Sequence, residues 1–158
     1  MNCPSCDEVM HTSVGLHHYT ECGLPYVFLD GIEVSRCGAC GERAFSIPRM
    51  EQLHQVLARA VATKLSRLIP QEVRFLRTHL GYSGKEFAEY MGVDPATVSR
   101  WEKGHDRISV VAERLLRLLA LTQPPELDLR ELSKDEPEPI PRLDLRSSPR
   151  GWRPAAAA

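Results

Sequence analysis

No stretch of the 158-residue sequence holds an apolar run near the 18–20 residues that a bilayer-spanning helix needs, which excludes a transmembrane role. Charge of one sign is not in excess either. Twenty Lys and Arg stand against 21 Asp and Glu, for a net charge of -1, so the chain as a whole is not a polycation. Met1-Asn2-Cys3-Pro4 lacks the basic start and apolar core of a secretory leader, so the five cysteines are expected as thiols or metal thiolates in a reducing cytosol. No Ser-His-Asp grouping, carboxylate pair or Gly-rich phosphate loop accompanies them, which leaves a thiol redox or zinc enzyme as a remote alternative.

The charge that is present is unevenly spread. Residues 1–50 carry 3 basic and 6 acidic groups, residues 51–123 carry 11 and 8, and residues 124–158 carry 6 and 7. The middle is therefore locally basic, which suits a polyanionic partner such as double-stranded DNA.

Four cysteines fall into two pairs, Cys3-Pro4-Ser5-Cys6 and Cys37-Gly38-Ala39-Cys40, with 30 residues between them. Two such turns aim two thiolates each at one ion, and Zn²⁺ takes four sulfurs in a tetrahedron. Gly41 after Cys40 and Asp7 after Cys6 suit the positive-φ step that follows a Cys turn. One structural Zn²⁺ on Cys3, Cys6, Cys37 and Cys40 is the expectation. Disulfides or a dithiol redox site are the alternatives, although neither pair has the βαβ setting of a thioredoxin-like motif. Cys22 is expected to pack as a small apolar group, and His11, His17 and His18 to be polar surface. Asp30-Gly31, between Tyr26–Leu29 and Ile32–Val34, predicts a two-residue hairpin turn. A piece this small needs a cross-link or metal to stay folded.

After Pro48 an apolar stripe at Met50, Leu53, Leu57, Ala60, Val61, Leu65 and Leu68 predicts a linker helix of about 18 residues within 48–68. Pro70 suits a helix N1 position, and Gly81 ends the stripe of Val73, Leu76 and Leu80. Ser83-Gly84-Lys85-Glu86 reads as a capping box, Gly92 as a break, and Asp94-Pro95 as a restart. Two helices around a short turn make a helix-turn-helix candidate within 69–122, closed by a last helix over about 109–121. The whole is a mixed fold: a small β-rich zinc ribbon over 1–47, then an all-α domain, then a tail. Residues 123–158 hold 7 of the 12 prolines from position 124 onward, and are expected to be mostly disordered, with a short helical turn near Leu127-Asp128-Leu129.

Ala88, Gly92 and Val98 stand at the spacing of the helix-turn-helix signature, and Val98-Ser99-Arg100-Trp101-Glu102-Lys103-Gly104 resembles the end of a Cro/repressor (Xre) recognition helix. A ribbon with paired Cys turns followed by such a domain resembles the MqsA-type antitoxins and proteins with a YgiT-type zinc finger, over residues 1–121. The resemblance implies a cytoplasmic, nucleoid-associated bacterial repressor, the antitoxin of a toxin–antitoxin pair. Its zinc lobe would mask a toxin protein while its other lobe represses its own operon; a stand-alone regulator without a toxin is the alternative. A homodimer is expected because recognition helices address half-sites one DNA turn apart, and leucines of the last helix could supply its face. In such a fold Ala96, Thr97 and Arg100 point at base edges, with Arg100 fit for guanine. Ser83, Lys85, Lys103, His105 and Arg107 are placed for phosphates. Gly84 stands where many Xre domains carry Gln, and Ala96 could meet only a thymine methyl. Glu102 is expected to pair with Arg74 or Arg77 rather than with DNA.

Overall fold

A computed structural model of the chain describes residues 1–122, 130, 132 and 145–154. Met10–His18 (β1) and Phe28–Cys37 (β2) pair antiparallel, and Arg43–Ser46 (β3) pairs antiparallel with the other side of β2. Met10 lies across from Cys37, and Arg36 across from Arg43, so the register carries both Cys turns to one end of the sheet. There Cys3, Met10 and Cys37 form a small buried cluster with Ala44 packed against it.

Asp30-Gly31 is not a hairpin turn. β2 runs straight through it, with His17 paired to Leu29 and Gly15 to Ile32, so two β2 residues stand opposite Leu16 as a bulge. Gly31 takes φ 76°, the left-handed value that admits the extra residue, and its amide donates to Asp30 Oδ1 at 2.9 Å. A local hairpin would have had only Tyr26–Leu29 as its first strand, behind Pro25, which cannot donate. Pairing with nine-residue β1 satisfies far more backbone groups, and the Asp-Gly signal yields to it.

Five helices follow: Met50–Thr63 (α1), Pro70–His79 (α2), Gly84–Met91 (α3), Pro95–Lys103 (α4) and Val110–Thr122 (α5). α1 is shorter than its apolar stripe predicts, because Lys64 turns extended and the chain crosses to Pro70 without helix. The local caps form as the sequence predicts. Ser83 Oγ accepts from the Glu86 amide while the Glu86 carboxylate accepts from the Ser83 amide. Asp94 accepts from the Ala96 amide at 2.8 Å, and Gly92 and Gly104 close α3 and α4 in the left-handed region.

One apolar core joins the sheet to the helices. Tyr19, Leu24, Val27, Leu29 and Ile32 belong to the same buried cluster as Ala58, Val61, Leu76, Phe87, Val98, Trp101 and Leu116. Two buried carboxylates staple the crossing. Glu72 accepts from Tyr26 Oη at 2.5 Å, from the Ile69 amide and from Lys64 Nζ; burial, and then this carboxylate, raise the Tyr26 phenol above its usual range. Glu113 accepts from Arg67 Nε, the Leu68 amide at 3.0 Å and Arg117 Nη2 at 2.7 Å. Arg117 in turn donates to the carbonyls of Ala62, Lys64 and Ser66, the segment that leaves α1.

Within the proline-rich tail, expected to lack regular structure, Leu145–Ser148 (β4) and Gly151–Pro154 (β5) form an antiparallel hairpin. Pro149 is preset for the first corner of the turn. The helical turn expected near Leu127 lies outside the described residues. Among the described residues, no helix is long and apolar enough to cross a membrane.

Candidate metal centre and nucleic-acid interface

The two Cys turns are built alike. Cys3 N donates to Glu8 O and Asp7 N to Cys3 O; Cys37 N donates to Glu42 O and Gly41 N to Cys37 O, all between 2.8 and 3.1 Å. Asp7 and Gly41, each one residue past the second Cys, take φ 59° and 77° as the sequence predicts. The four sulfurs of Cys3, Cys6, Cys37 and Cys40 lie within 4.8 Å of one another. Cys3 to Cys40, Cys6 to Cys37 and Cys6 to Cys40 are each 3.5 Å apart. A tetrahedral ion with bonds of about 2.3 Å sets sulfurs about 3.8 Å apart, so the group fits a thiolate-bound metal.

Charge makes the same point. The amide of Cys40 pulls the Cys37 thiol down to about 6. The amide of Glu42 acts in the same direction on Cys40, but Cys3, Cys6 and Cys37 together push that thiol well above its ordinary value. Four thiolates at this separation repel one another unless a cation sits among them. Cys22 is not part of the group: it is half-buried elsewhere, with its Sγ against Tyr19 O at 3.6 Å.

The second site is the outward side of α3 and α4. Ala88, Val98 and Trp101 are buried, which fixes the rotation of α4 and leaves Ala96 and Arg100 exposed, with Thr97 half-buried. Ser83, Lys85, Lys103, His105 and Arg107 are all exposed. Ser83 Oγ already accepts one bond in the helix cap, and its O–H remains free to donate to a phosphate. Arg100 is engaged in an exposed ion pair with Asp106, Nε to Oδ2 at 2.7 Å, which nothing in the residue pattern announced. Such a pair contributes little and can open to a better acceptor. Glu102 binds Arg77 through both oxygens, at 2.5 and 3.2 Å, and Arg77 also reaches Tyr82 O. Of the two arginines expected for Glu102 it is therefore Arg77, and the pair fastens α4 to α2.

Residues 73–122 match the helix-turn-helix family model, of the Cro/Xre type. The segment is thus of the kind found in DNA-binding transcription regulators. No curated protein matches the chain in a sequence comparison.

Proposed function

We propose that the protein is a sequence-specific, operator-binding repressor and the antitoxin of a toxin–antitoxin pair, with one structural Zn²⁺ in its N-terminal lobe. The observation that carries the DNA half is the row of exposed Ala96, half-buried Thr97 and exposed Arg100 on α4, inside the segment that matches the helix-turn-helix family. α4 enters the major groove with its N-terminal half against the bases. Arg100 leaves Asp106 and takes guanine O6 and N7, Thr97 offers a hydroxyl, and Ala96 offers only a methyl contact. Ser83, Lys85, Lys103, His105 and Arg107 hold phosphates and set register.

Zinc on Cys3, Cys6, Cys37 and Cys40 would be four-coordinate with no open position, so the centre holds the lobe in shape and performs no catalysis. Apolar exposure on α5 supports a homodimer: Val111 is 79% and Leu118 56% exposed, seven residues apart on one face. The toxin reading rests on the order of the two lobes, a four-cysteine ribbon ahead of an Xre-type domain. A stand-alone regulator is the second reading, favoured if no toxin gene adjoins this one.

The test is fluorescence anisotropy with the chain's own promoter duplex and a scrambled duplex of equal length. Preference of about 10³-fold or more for the promoter is expected. Equal affinity at low and at physiological salt overturns the repressor. Copurification from the native host with mass spectrometry then separates antitoxin from stand-alone regulator.

A further inference from the structure

A cavity of about 560 Å³ lies between the β1–β2 loop, α1, α2 and the end of α4, within the usual size range of small-molecule sites. Cys22 and Gly23 line it from the loop, His54 from α1, Arg74, Phe75 and His79 from α2, and Glu102 from α4. Neither zinc nor the DNA-reading side uses it.

Three rings form its wall. Phe75 stands edge-on to His54 with centroids 6.4 Å apart and nearly parallel to His79 at 6.2 Å. The His54 ring is held in place by Tyr19 Oη, 2.9 Å from Nε2. One cation lining the cavity lacks a partner from the protein. Glu21, which also lines it, faces His17 at 3.3 Å, and Glu102 is taken by Arg77. Arg74, by contrast, has no ion pair and no side-chain hydrogen bond among the described residues. Glu102 is thus answered by a guanidinium and Glu21 by its contact with the His17 ring, whereas the Arg74 guanidinium has neither kind of partner. Burial, and then the neighbouring His54, hold the His79 imidazole below its ordinary range, a setting that a bound anion would relieve.

We propose that this cavity binds a small aromatic anion, a flat ring bearing a carboxylate or a phosphate, with the ring along the His54, Phe75 and His79 wall and the charge on Arg74. A planar guanidinium pairs bidentately with either oxyanion, and flat rings stack on flat rings. The site does not depend on the repressor reading, because binding is measured without DNA.

The test is an NMR titration of the full-length, zinc-loaded protein labelled at its six histidines, with benzoate and phenyl phosphate as probes and benzamide and inorganic phosphate as controls. Saturable shifts of His54 and His79 with at least one aromatic anion are expected, at a dissociation constant below about 1 mM. Whichever anion binds identifies the headgroup. Each control should bind at least about tenfold more weakly, and Arg74→Gln should cost the bound anion about tenfold or more. Arg74 is exposed, so that variant should keep its far-UV circular dichroism. The proposal falls if neither anion gives a saturable shift up to about 10 mM. It falls equally if inorganic phosphate or benzamide binds as tightly, if Arg74→Gln leaves affinity unchanged, or if only His11, His17, His18 and His105 respond.

Discussion

Replacing Glu113 with Gln should destabilise the protein by about 3 kcal/mol at neutral pH. Glu113 is 3% exposed and receives Arg67 Nε, the Leu68 amide and Arg117 Nη2. Gln preserves shape and one acceptor oxygen, so the Leu68 bond can persist, but an amide nitrogen then faces a guanidinium. Breaking one partner of a buried ion pair costs about 3–5 kcal/mol. The low end applies because the Arg67 side chain is 33% exposed and can turn to water. At about 2–4 °C per kcal/mol for a chain of this size, the midpoint should fall by about 6–12 °C. The pH dependence has a definite sign. Burial alone would raise this carboxyl, but Arg117, Arg67 and the Leu68 amide outweigh it and hold the folded-state pKa below the usual value. Its contribution is therefore complete above the unfolded pKa, about 4.3, and is lost as pH falls through the lowered folded value. Urea unfolding followed by circular dichroism should give a constant gap between wild type and variant from about pH 5 to 8, closing in stronger acid. A gap under about 1 kcal/mol at pH 7, or one that stays open in acid, refutes the reasoning.

The remaining predictions concern the interface and the metal. Arg100→Ala should weaken promoter binding by about 1–3 kcal/mol and relax selection at one base pair, read by anisotropy on a panel of single-substituted duplexes; unchanged selectivity removes it from the base contacts. Lys103→Ala should lower affinity evenly across sequences and flatten the slope of log affinity against log salt by about one. Chelation of the metal should loosen residues 1–12 and 35–46, where the buried cluster is only Cys3, Met10 and Cys37 with Ala44, while Tyr19, Leu24 and Ile32 stay protected in the larger core. Amide hydrogen exchange reads this directly, and unchanged protection in the Cys turns of metal-free protein would falsify a structural ion.

Features set by a few neighbouring residues were legible in the sequence. The Ser83 capping box, the break at Gly92, the Asp94-Pro95 start of α4, and the positive φ of Asp7 and Gly41 all follow from local chemistry. Val98 and Trp101, three residues apart, share one face of α4 by helical period, and both are buried. Non-local pairing was not legible. In Met10–His18 the apolar residues Met10, Val14 and Leu16 fall on alternate positions, yet Val14 and Leu16 stay exposed, and nothing in the segment declares that it will pair along β2 and turn Asp30-Gly31 into a bulge. Glu72 and Glu113 look like ordinary helix-surface acids; the crossing after α1 brings Lys64 to Glu72 and Arg67 to Glu113, whose other partner, Arg117, is its own i,i+4 neighbour on α5. The Arg100 to Asp106 pair depends on the return of the chain after Gly104, which helical spacing alone does not give.

The shared core between sheet and helices bears on how the molecule could be divided. Severing the chain near Pro48 would strip Leu24, Val27, Leu29 and Ile32 from the cluster they share with Ala58, Val61 and Val73, and would open part of that core to water on an orphaned helical fragment. Such a fragment would carry a sticky scar where a neighbour used to sit, and Glu72 would lose the phenol of Tyr26 that now shields it. Shuffling this reading head onto an unrelated sensor would therefore require a redesigned surface, not merely a new linker.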